Sequence, residues 1–275
     1  MAQNGPTGFT FSPATAVLGA LDAPGTALAG NVLVGTFTPT GAPGADTFTY
    51  TIGGLVGTAF FSMSSNSNHG LLSTRLAGVP GSSTGTLYAL TVQVNDTSNG
   101  TNSGAKPFDV VVGDNNGDTI NLATGNHNLG ISAETPTFVY GRGGADTISA
   151  SGMTGPVWIA GGAGADTLTG GSGPNTYLYG AAAESTPAMF DTITNFHVAL
   201  DRIDLSGIGS TALHFQASQF TGSALSPDTI AWQVSGANTF VYVNTSSAGE
   251  PPGHADMEIV LNGKLTLTES NFTHH

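Results

Sequence analysis

The first part of the chain alternates hydrophobic and polar positions with the period of two that is typical of half-buried β-strands. The clearest runs are residues 31–37, 46–52, 86–94 and 108–112. Clusters of Gly, Pro, Asn and Ser separate these runs and indicate turns. Short strands spaced in this way predict an antiparallel β-sandwich over residues 1–112.

The middle of the chain follows a different pattern, nine residues long, built from glycine, aspartate and one apolar position. Residues 161–169 fit G-G-x-G-x-D-x-U-x at every specified position. Residues 170–178 follow in register, with Asn175 in place of the aspartate. Residues 141–149 fit with one glycine replaced, and residues 113–121 are a weaker copy. A fixed period of this kind indicates a repeat architecture.

Each nonapeptide supplies a six-residue turn and a three-residue strand, so two of them complete one coil of about 18 residues. The apolar eighth residue, which is Ile148, Leu168 or Tyr177, is predicted to face inward and stack on its counterpart in the next coil. The fold class predicted for the whole chain is therefore all-β. Over residues 113–275 we expect the sandwich to be followed by a right-handed parallel β-roll with a β-rich C-terminal cap, an arrangement implied by the family resemblances described below.

The repeat resembles the calcium-binding repeat of RTX proteins. Its glycines allow positive φ and close approach of carbonyl oxygens, and its aspartates add carboxylates. Ca²⁺ prefers six to eight such oxygens, so we expect folding to be coupled to calcium, the alternative being a roll that forms without metal. The ligands predicted from the repeats are Gly141, Gly143, Gly144, Asp146, Gly161, Gly162, Gly164, Asp166, Gly171, Gly173 and Asn175.

The spacing of the repeats predicts which turns share an ion. Asp146 and Asp166 are 20 residues apart, which leaves room for one degenerate half-coil at residues 150–158. We expect these two aspartates to bracket one ion. The Asn175 turn follows residues 152–156, which carry no carboxylate. That side is expected to bind calcium more weakly or to be completed by the cap.

Composition agrees with a calcium partner and excludes several others. The chain of 275 residues has 40 glycines, no cysteine and a formal net charge of −13 with five basic residues. Binding to nucleic acid or to anionic membranes requires clustered cations, so neither is expected. The N-terminus lacks the pattern of a cleaved signal peptide, and no apolar run is long enough for a membrane span.

The N-terminal part resembles bacterial cadherin-like domains. The resemblance lies in residues 35–38, 46–52, 69–74 and 90–96. The loop at residues 38–43 lacks the acidic residues of that family, so calcium sites of the cadherin kind are not expected there. Asp46 and Asp96, each at a strand end, are interpreted as turn or cap residues.

The C-terminal part resembles the C-terminal domain of serralysin-type metalloproteases. The segments that carry the resemblance are residues 190–196, 200–206, 219–222, 256–263 and 269–272. The resemblance implies that Asp191 is a calcium ligand, with Glu184 as a further candidate, and that Asp201 and Asp204 hold loops by accepting backbone hydrogen bonds. It also implies export from a Gram-negative bacterium by a type I secretion system.

No catalytic motif of the related proteases is present: H-E-x-x-H is absent, and so is G-x-S-x-G. Residues 103–106 match S-x-x-K within a Gly/Ser/Asn loop that has no supporting motif. We therefore expect a non-enzymatic, extracellular, calcium-dependent adhesion or binding protein. Its partner would be a cell surface, a polysaccharide (contacted by aromatics such as Phe60 and Phe61) or a second copy. The alternatives are a calcium-assembled matrix or surface-layer component and an extracellular hydrolase.

Overall fold

The computed structural model describes residues 6–13, 33–40, 46–53, 61–66, 69–74, 84–98, 100–113, 117–122, 132–209 and 212–274. These residues form twenty β-strands and three short 3-10 helices, which confirms the predicted all-β class. Phe60 and residues 114–116 of the weak repeat lie outside the described residues.

The strands are β1 (Gly8–Pro13), β2 (Leu33–Thr40), β3 (Phe48–Gly53), β4 (Phe61–Asn66), β5 (His69–Thr74), β6 (Thr86–Asp96), β7 (Lys106–Val112), β8 (Thr119–Asn121), β9 (Thr137–Gly143), β10 (Thr147–Ser149), β11 (Val157–Ala163), β12 (Thr167–Thr169), β13 (Asn175–Leu178), β14 (Asp191–Ile193), β15 (Arg202–Asp204), β16 (His214–Phe215), β17 (Thr229–Ser235), β18 (Asn238–Asn244), β19 (Met257–Asn262) and β20 (Phe272–Thr273). The 3-10 helices are Ala182–Glu184, Pro252–His254 and Glu269–Asn271.

The roll consists of two parallel walls between which the chain alternates. Strands β8, β10, β12 and β14 form one wall, and β7, β9, β11, β13 and β15 form the other. The alternation begins at β7, a few residues before the predicted boundary at position 113. Successive turns of the chain therefore stack directly on one another along both edges of the roll.

The inward-facing residues form two stacked rows, as the nine-residue period predicts. On one wall Ile120, Ile148, Leu168 and Ile193 are in register, and all are essentially inaccessible to solvent. The facing row is Val111, Val139, Ile159, Tyr177 and Ile203. Both rows belong to one core cluster, so the roll is held together by continuous apolar stacking along its axis.

The N-terminal strands form a second β-layer. Strands β1, β2, β5 and β4 make an antiparallel sheet. It packs on a long eight-stranded sheet of order β20-β15-β13-β11-β9-β7-β6-β3. This long sheet is antiparallel from β3 to β7 and parallel from β7 to β20. The second layer of the N-terminal part is therefore continuous with a wall of the roll.

Aromatic packing joins the two layers. Phe11 contacts Phe108 with ring centroids 4.7 Å apart and Trp158 at 5.1 Å. Phe37 lies edge-on to Phe108 at 5.1 Å. The same core cluster includes Phe138, Tyr140, Ala160 and Leu178, which lie on the outer face of the roll wall. The outer face of that wall is thus covered by the N-terminal sheet.

The C-terminal segment closes the roll. Strand β19 pairs in parallel with β14, and β18 and β17 extend this wall as antiparallel neighbours. Strand β20 ends the other wall by pairing with β15. The cap supplies Trp232, Met257, Ile259 and Phe272 to the roll core, so the last coil does not end on open apolar surface. In the described residues, no helix is both long and apolar enough to cross a membrane.

We predict that Ile148→Ala lowers the free energy of unfolding by about 2–5 kcal/mol, because it removes a fully buried side chain from the middle of a stacked row. Thr147→Ala changes the adjacent, exposed position of the same strand and should stay within about 0.5 kcal/mol of the parent. Urea unfolding in excess calcium measures both values. Equal destabilisation by the two substitutions would contradict the stacked core.

Candidate metal centre

One edge of the roll carries a row of aspartates, which we call the acidic flank. The parallel register brings Asp118, Asp146, Asp166 and Asp191 to the same position of successive coils. The first three lie just before β8, β10 and β12, and Asp191 is the first residue of β14. Their exposed fractions are 1%, 1%, 2% and 0%. A row of buried carboxyl groups is unusual because each charge loses its hydration.

The row is ordered by hydrogen bonds that all run in one direction. The backbone N–H of Asp118 donates to Asp146 Oδ1 at 2.7 Å, and that of Asp146 donates to Asp166 Oδ1 at 2.8 Å. The N–H of Asp166 donates to Asp191 Oδ1 at 2.9 Å. At the cap, the N–H of Asp191 donates to Ser185 Oγ at 2.8 Å. Each coil therefore supplies a side-chain acceptor to the coil before it.

The second carboxylate oxygen has a different environment. Oδ2 of Asp166 and Oδ2 of Asp191 are buried, and neither accepts a hydrogen bond of normal geometry. The Tyr179 hydroxyl lies beside the Asp191 carboxyl and partly opposes the rise in its pKa. An ionised oxygen left in this state is costly to bury. A hard cation beside it would satisfy the charge, which is the first indication that the flank fits a divalent metal.

The glycines of the turns bring backbone oxygens into the same gap. A methyl group on Gly161 would lie 2.1 Å from Asp166 Oδ2, and one on Gly141 would lie 2.5 Å from the Gly161 carbonyl oxygen. Gly162 and Gly164 have φ of +102° and +149°, and a methyl group on either would overlap a carbonyl oxygen of the preceding coil. Side chains are excluded there, so carbonyl and carboxylate oxygens meet between stacked turns. This is the mixed donor set that Ca²⁺ prefers.

Burial and mutual repulsion raise the pKa values of the carboxyl groups at the cap end of the row. Burial raises the pKa of Asp166 to about 7, although the Asp146 N–H partly opposes the shift. Burial and the charge of Asp166 raise the pKa of Asp191 well above its ordinary range. Burial raises the pKa of Glu184 to about 7, against two 3.1 Å hydrogen bonds from the Gly180 N–H. Without a cation, these three carboxyl groups are therefore protonated at higher pH than ordinary Asp and Glu side chains.

The residues predicted from the repeats divide between the two edges of the roll. The turns around Asp146 and Asp166 stack, and Asp191, which the resemblance implied to be a calcium ligand, continues their row. Glu184 is buried close enough for the Asp166 charge to affect its pKa. The described residues contain no group of three His, Cys, Asp or Glu side chains that could hold a metal by themselves. Any ion on the flank must therefore use backbone carbonyls as well.

Asp118 was not among the predicted ligands, because its repeat is the weak copy. The structure nevertheless gives its strand the same parallel pairing with β10 that β12 has. The signal was present in the triplet Asp-Thr-Ile at 118–120, which recurs at 146–148.

The predicted ligands Gly171, Gly173 and Asn175 lie at the opposite edge, and their geometry departs from the prediction. The Asn175 side-chain Nδ2 donates to the Gly173 carbonyl at 2.9 Å and to the Gly171 carbonyl at 3.2 Å. These oxygens face an N–H donor rather than a gap. Asp201 and Asp204 accept backbone N–H groups from His197 and Ser206, which agrees with the loop-holding role that the resemblance implied.

Asp46 and Asp96 were interpreted as separate turn residues, but they lie together. Pairing of β3 with β6 places Phe48 opposite Asp96, and both carboxyl groups are buried. Asp96 does hold a turn, since its Oδ1 accepts the Ser98 N–H at 2.8 Å. Burial and the nearby Asp96 charge raise the pKa of Asp46.

Comparison with known families agrees with this geometry. Residues 95–273 match the family described as Peptidase M10 serralysin C terminal. The chain belongs to this family. The match begins before β7, where the alternation between the walls of the roll starts, and ends in β20, so the serralysin C-terminal region covers the whole roll and its cap. The cadherin-like resemblance of the N-terminal part has no such support.

Two solved structures resemble parts of this serralysin C-terminal protein. They are the AlgE6R3 and AlgE6R2 subunits of the Azotobacter vinelandii mannuronan C5-epimerase, in solution. Sequence identity is 25% and 24%, and each covers 58% of this chain, with 78% and 89% of the other chain covered. Both TM-scores are 0.38, too low to carry an argument. No curated protein matches the chain.

In calcium-free buffer, we predict that stability falls as the pH rises from about 5 to about 8. The folded-state pKa of Asp166 and Glu184 is about 7, above their ordinary values, so folding takes up protons. The resulting stabilisation is complete below the unfolded pKa values and is lost as the pH passes about 7. Thermal unfolding in excess chelator measures the effect.

Glu184→Gln serves as the control for this pH dependence. It removes one of the titrating groups while keeping the size of the side chain, so the difference in thermal midpoint between pH 5 and pH 8 should shrink. A midpoint that is the same at both pH values in the parent protein would contradict the raised pKa values.

Proposed function

We propose that this protein binds Ca²⁺ along the acidic flank and folds fully when the metal is bound. The observation that carries the proposal is the pair of buried Oδ2 atoms of Asp166 and Asp191, which accept no hydrogen bond of normal geometry. Carbonyl oxygens of the glycine turns lie in the same gap. Membership of the serralysin C-terminal family adds independent support.

The chemistry of the flank favours calcium over magnesium. The donors are carboxylate and backbone oxygens held in successive turns, and they can surround an ion in numbers above six. Mg²⁺ demands near-ideal octahedral geometry and keeps several waters, which narrow gaps between stacked glycine turns do not accommodate. When bound, the cation would supply the positive charge that lets the buried carboxylates ionise without mutual repulsion.

Calcium coupling suits a protein that works outside the cell. With no cysteine, the chain cannot use disulfides as staples, and a metal bound between coils takes that role. The family match supports an extracellular location, and we propose export by a type I system. On this proposal the roll remains incompletely folded at low calcium and folds in the calcium-rich exterior.

We predict that calcium, but not magnesium, increases the β signal in circular dichroism and raises the thermal midpoint. Asp166→Asn should weaken calcium binding at least tenfold, because it removes a buried charge from the middle of the row and leaves an amide facing carbonyl oxygens. Isothermal calorimetry measures the binding.

Glu269→Gln is the matched control, since it makes the same change of charge at an exposed position in the cap. It should leave calcium affinity unchanged. An unaltered spectrum in excess chelator would refute coupled folding, and equal affinity in the parent and Asp166→Asn proteins would refute the acidic flank as the site.

For the N-terminal layer we propose a non-catalytic adhesive role, with polysaccharide as the partner. The sequence of this layer resembles cadherin-like domains, and the layer has an open pocket of about 250 Å³ at its junction with the roll. The pocket offers an aromatic face, a cation and polar groups, a combination that suits sugar rings. Its lining residues are Gly8, Phe9, Thr40, Lys106, Pro107 and Pro136.

Retention on immobilised exopolysaccharide tests this role. We predict calcium-dependent retention that falls at least fivefold in Lys106→Ala and is unchanged in Lys264→Ala, which removes the same charge from an exposed site in the cap. Equal retention of the two variants would exclude the pocket. Sheets or polymers formed on adding calcium would favour the matrix role, and turnover of a glycan or peptide would contradict the non-enzymatic proposal.

A further inference from the structure

The edge of the roll opposite the acidic flank stacks its coils in a different way. We call it the proline flank after Pro136, Pro156 and Pro174, which precede its strands. The strand register aligns Asp109, Thr137, Val157 and Asn175 in successive coils. These are the positions that correspond to the aspartates of the acidic flank.

Backbone groups alone connect most coils on the proline flank. The N–H of Asp109 donates to the Pro136 carbonyl at 3.0 Å. The N–H groups of Thr137 and Val157 donate in the same way to the carbonyls of Pro156 and Pro174, also at 3.0 Å. On the acidic flank the equivalent N–H groups need an aspartate side chain from the next coil. Stacking along the proline flank therefore requires neither a carboxylate nor a metal.

The last turn of the proline flank combines the two schemes. The N–H of Asn175 donates to Asp201 Oδ1 at 2.9 Å, which is the acidic-flank pattern. A methyl group on Gly170 would lie 2.8 Å from Asn175 Nδ2, just as one on Gly161 would lie 2.1 Å from Asp166 Oδ2. The amide nitrogen thus takes the position in its turn that a carboxylate oxygen takes in the acidic turns.

Three oxygens surround this nitrogen. They are the Gly173 carbonyl and Asp201 Oδ1, both at 2.9 Å, and the Gly171 carbonyl at 3.2 Å. The amide orientation follows from its partners, because Asn175 Oδ1 accepts the Gly171 N–H at 2.9 Å. The reversed amide would place an oxygen against three acceptors. Two carbonyls and a carboxylate converge on an N–H donor where they would otherwise converge on a cation.

We infer that calcium binds on the acidic flank and not at the last turn of the proline flank, where the Asn175 amide replaces a cation between the roll and the cap. The first half of this inference rests on the proposed calcium function, whereas the second half does not. Asn175 then joins Gly171, Gly173 and Asp201 at any calcium concentration. The cap end of the proline flank stays assembled while the acidic flank is empty.

Asn175→Asp tests the inference because it restores the aspartate of the repeat. The new carboxylate meets the same three oxygens, so it should create one additional calcium site. Native mass spectrometry at saturating calcium should count one more ion than in the parent protein. In chelator, the variant should melt about 5–10 °C lower, because two carboxylates then face each other without a donor between them. Calcium should restore most of that loss.

Two further variants keep the outcome decisive. Asn175→Ala removes the amide and should leave the calcium count of the parent unchanged, whereas Asp166→Asn on the acidic flank should lower it. A lower count in Asn175→Ala would show that Asn175 is a ligand and would overturn the inference. An unchanged count in Asn175→Asp would overturn it as well. If the parent protein binds no calcium, the proposed function fails. In that case one ion bound by Asn175→Asp would still support the role of the Asn175 amide, and no bound ion would overturn it.

Discussion

Every coil of the roll must find an acceptor for the backbone N–H at the sixth position of its turn, and the following coil supplies it. Along one edge the acceptor is Oδ1 of an aspartate. Each of these side chains also carries a second carboxylate oxygen, Oδ2, into the buried edge. Along the other edge the acceptor is a proline carbonyl, which brings no charge, except at the last turn, where Asn175 donates to Asp201. One edge is acidic, and therefore suited to a cation, because its N–H groups donate to aspartate side chains and not to backbone carbonyls.

The roll itself was predictable from the sequence because its period is local. The repeats at residues 141–149 and 161–169 place Ile148 and Leu168 on the same wall, and the glycine spacing anticipates the close approach of turns at Gly162 and Gly164. It was harder to predict that Asp118 belongs to the row, because two of the three glycines that the pattern specifies before the aspartate are replaced there. The Asp-Thr-Ile triplet at residues 118–120, shared with residues 146–148, was the remaining signal.

Other features depend on contacts between distant parts of the chain and leave no periodic trace. Asn175 looks like a minor variant of the repeat until Asp201, from the cap, is seen to accept its amide. Asp46 and Asp96 become neighbours only through the pairing of β3 with β6. The continuity of the long sheet depends on the parallel pairing of β7 with β9, which joins strands of unrelated sequence pattern.

That continuity limits how freely the roll can be used as a module. A cassette cut at the apparent boundary near residue 113 would lose β7 and leave β9 as a bare edge strand. It would also uncover the aromatic outer face of the wall, where Phe138, Tyr140 and Trp158 now meet the N-terminal sheet. An excised roll would expose both an unpaired strand edge and an apolar face, and it would tend to self-associate. Grafts of this repeat onto other proteins should therefore keep the chain from β1 onward, or carry a substitute for the sheet that covers the wall.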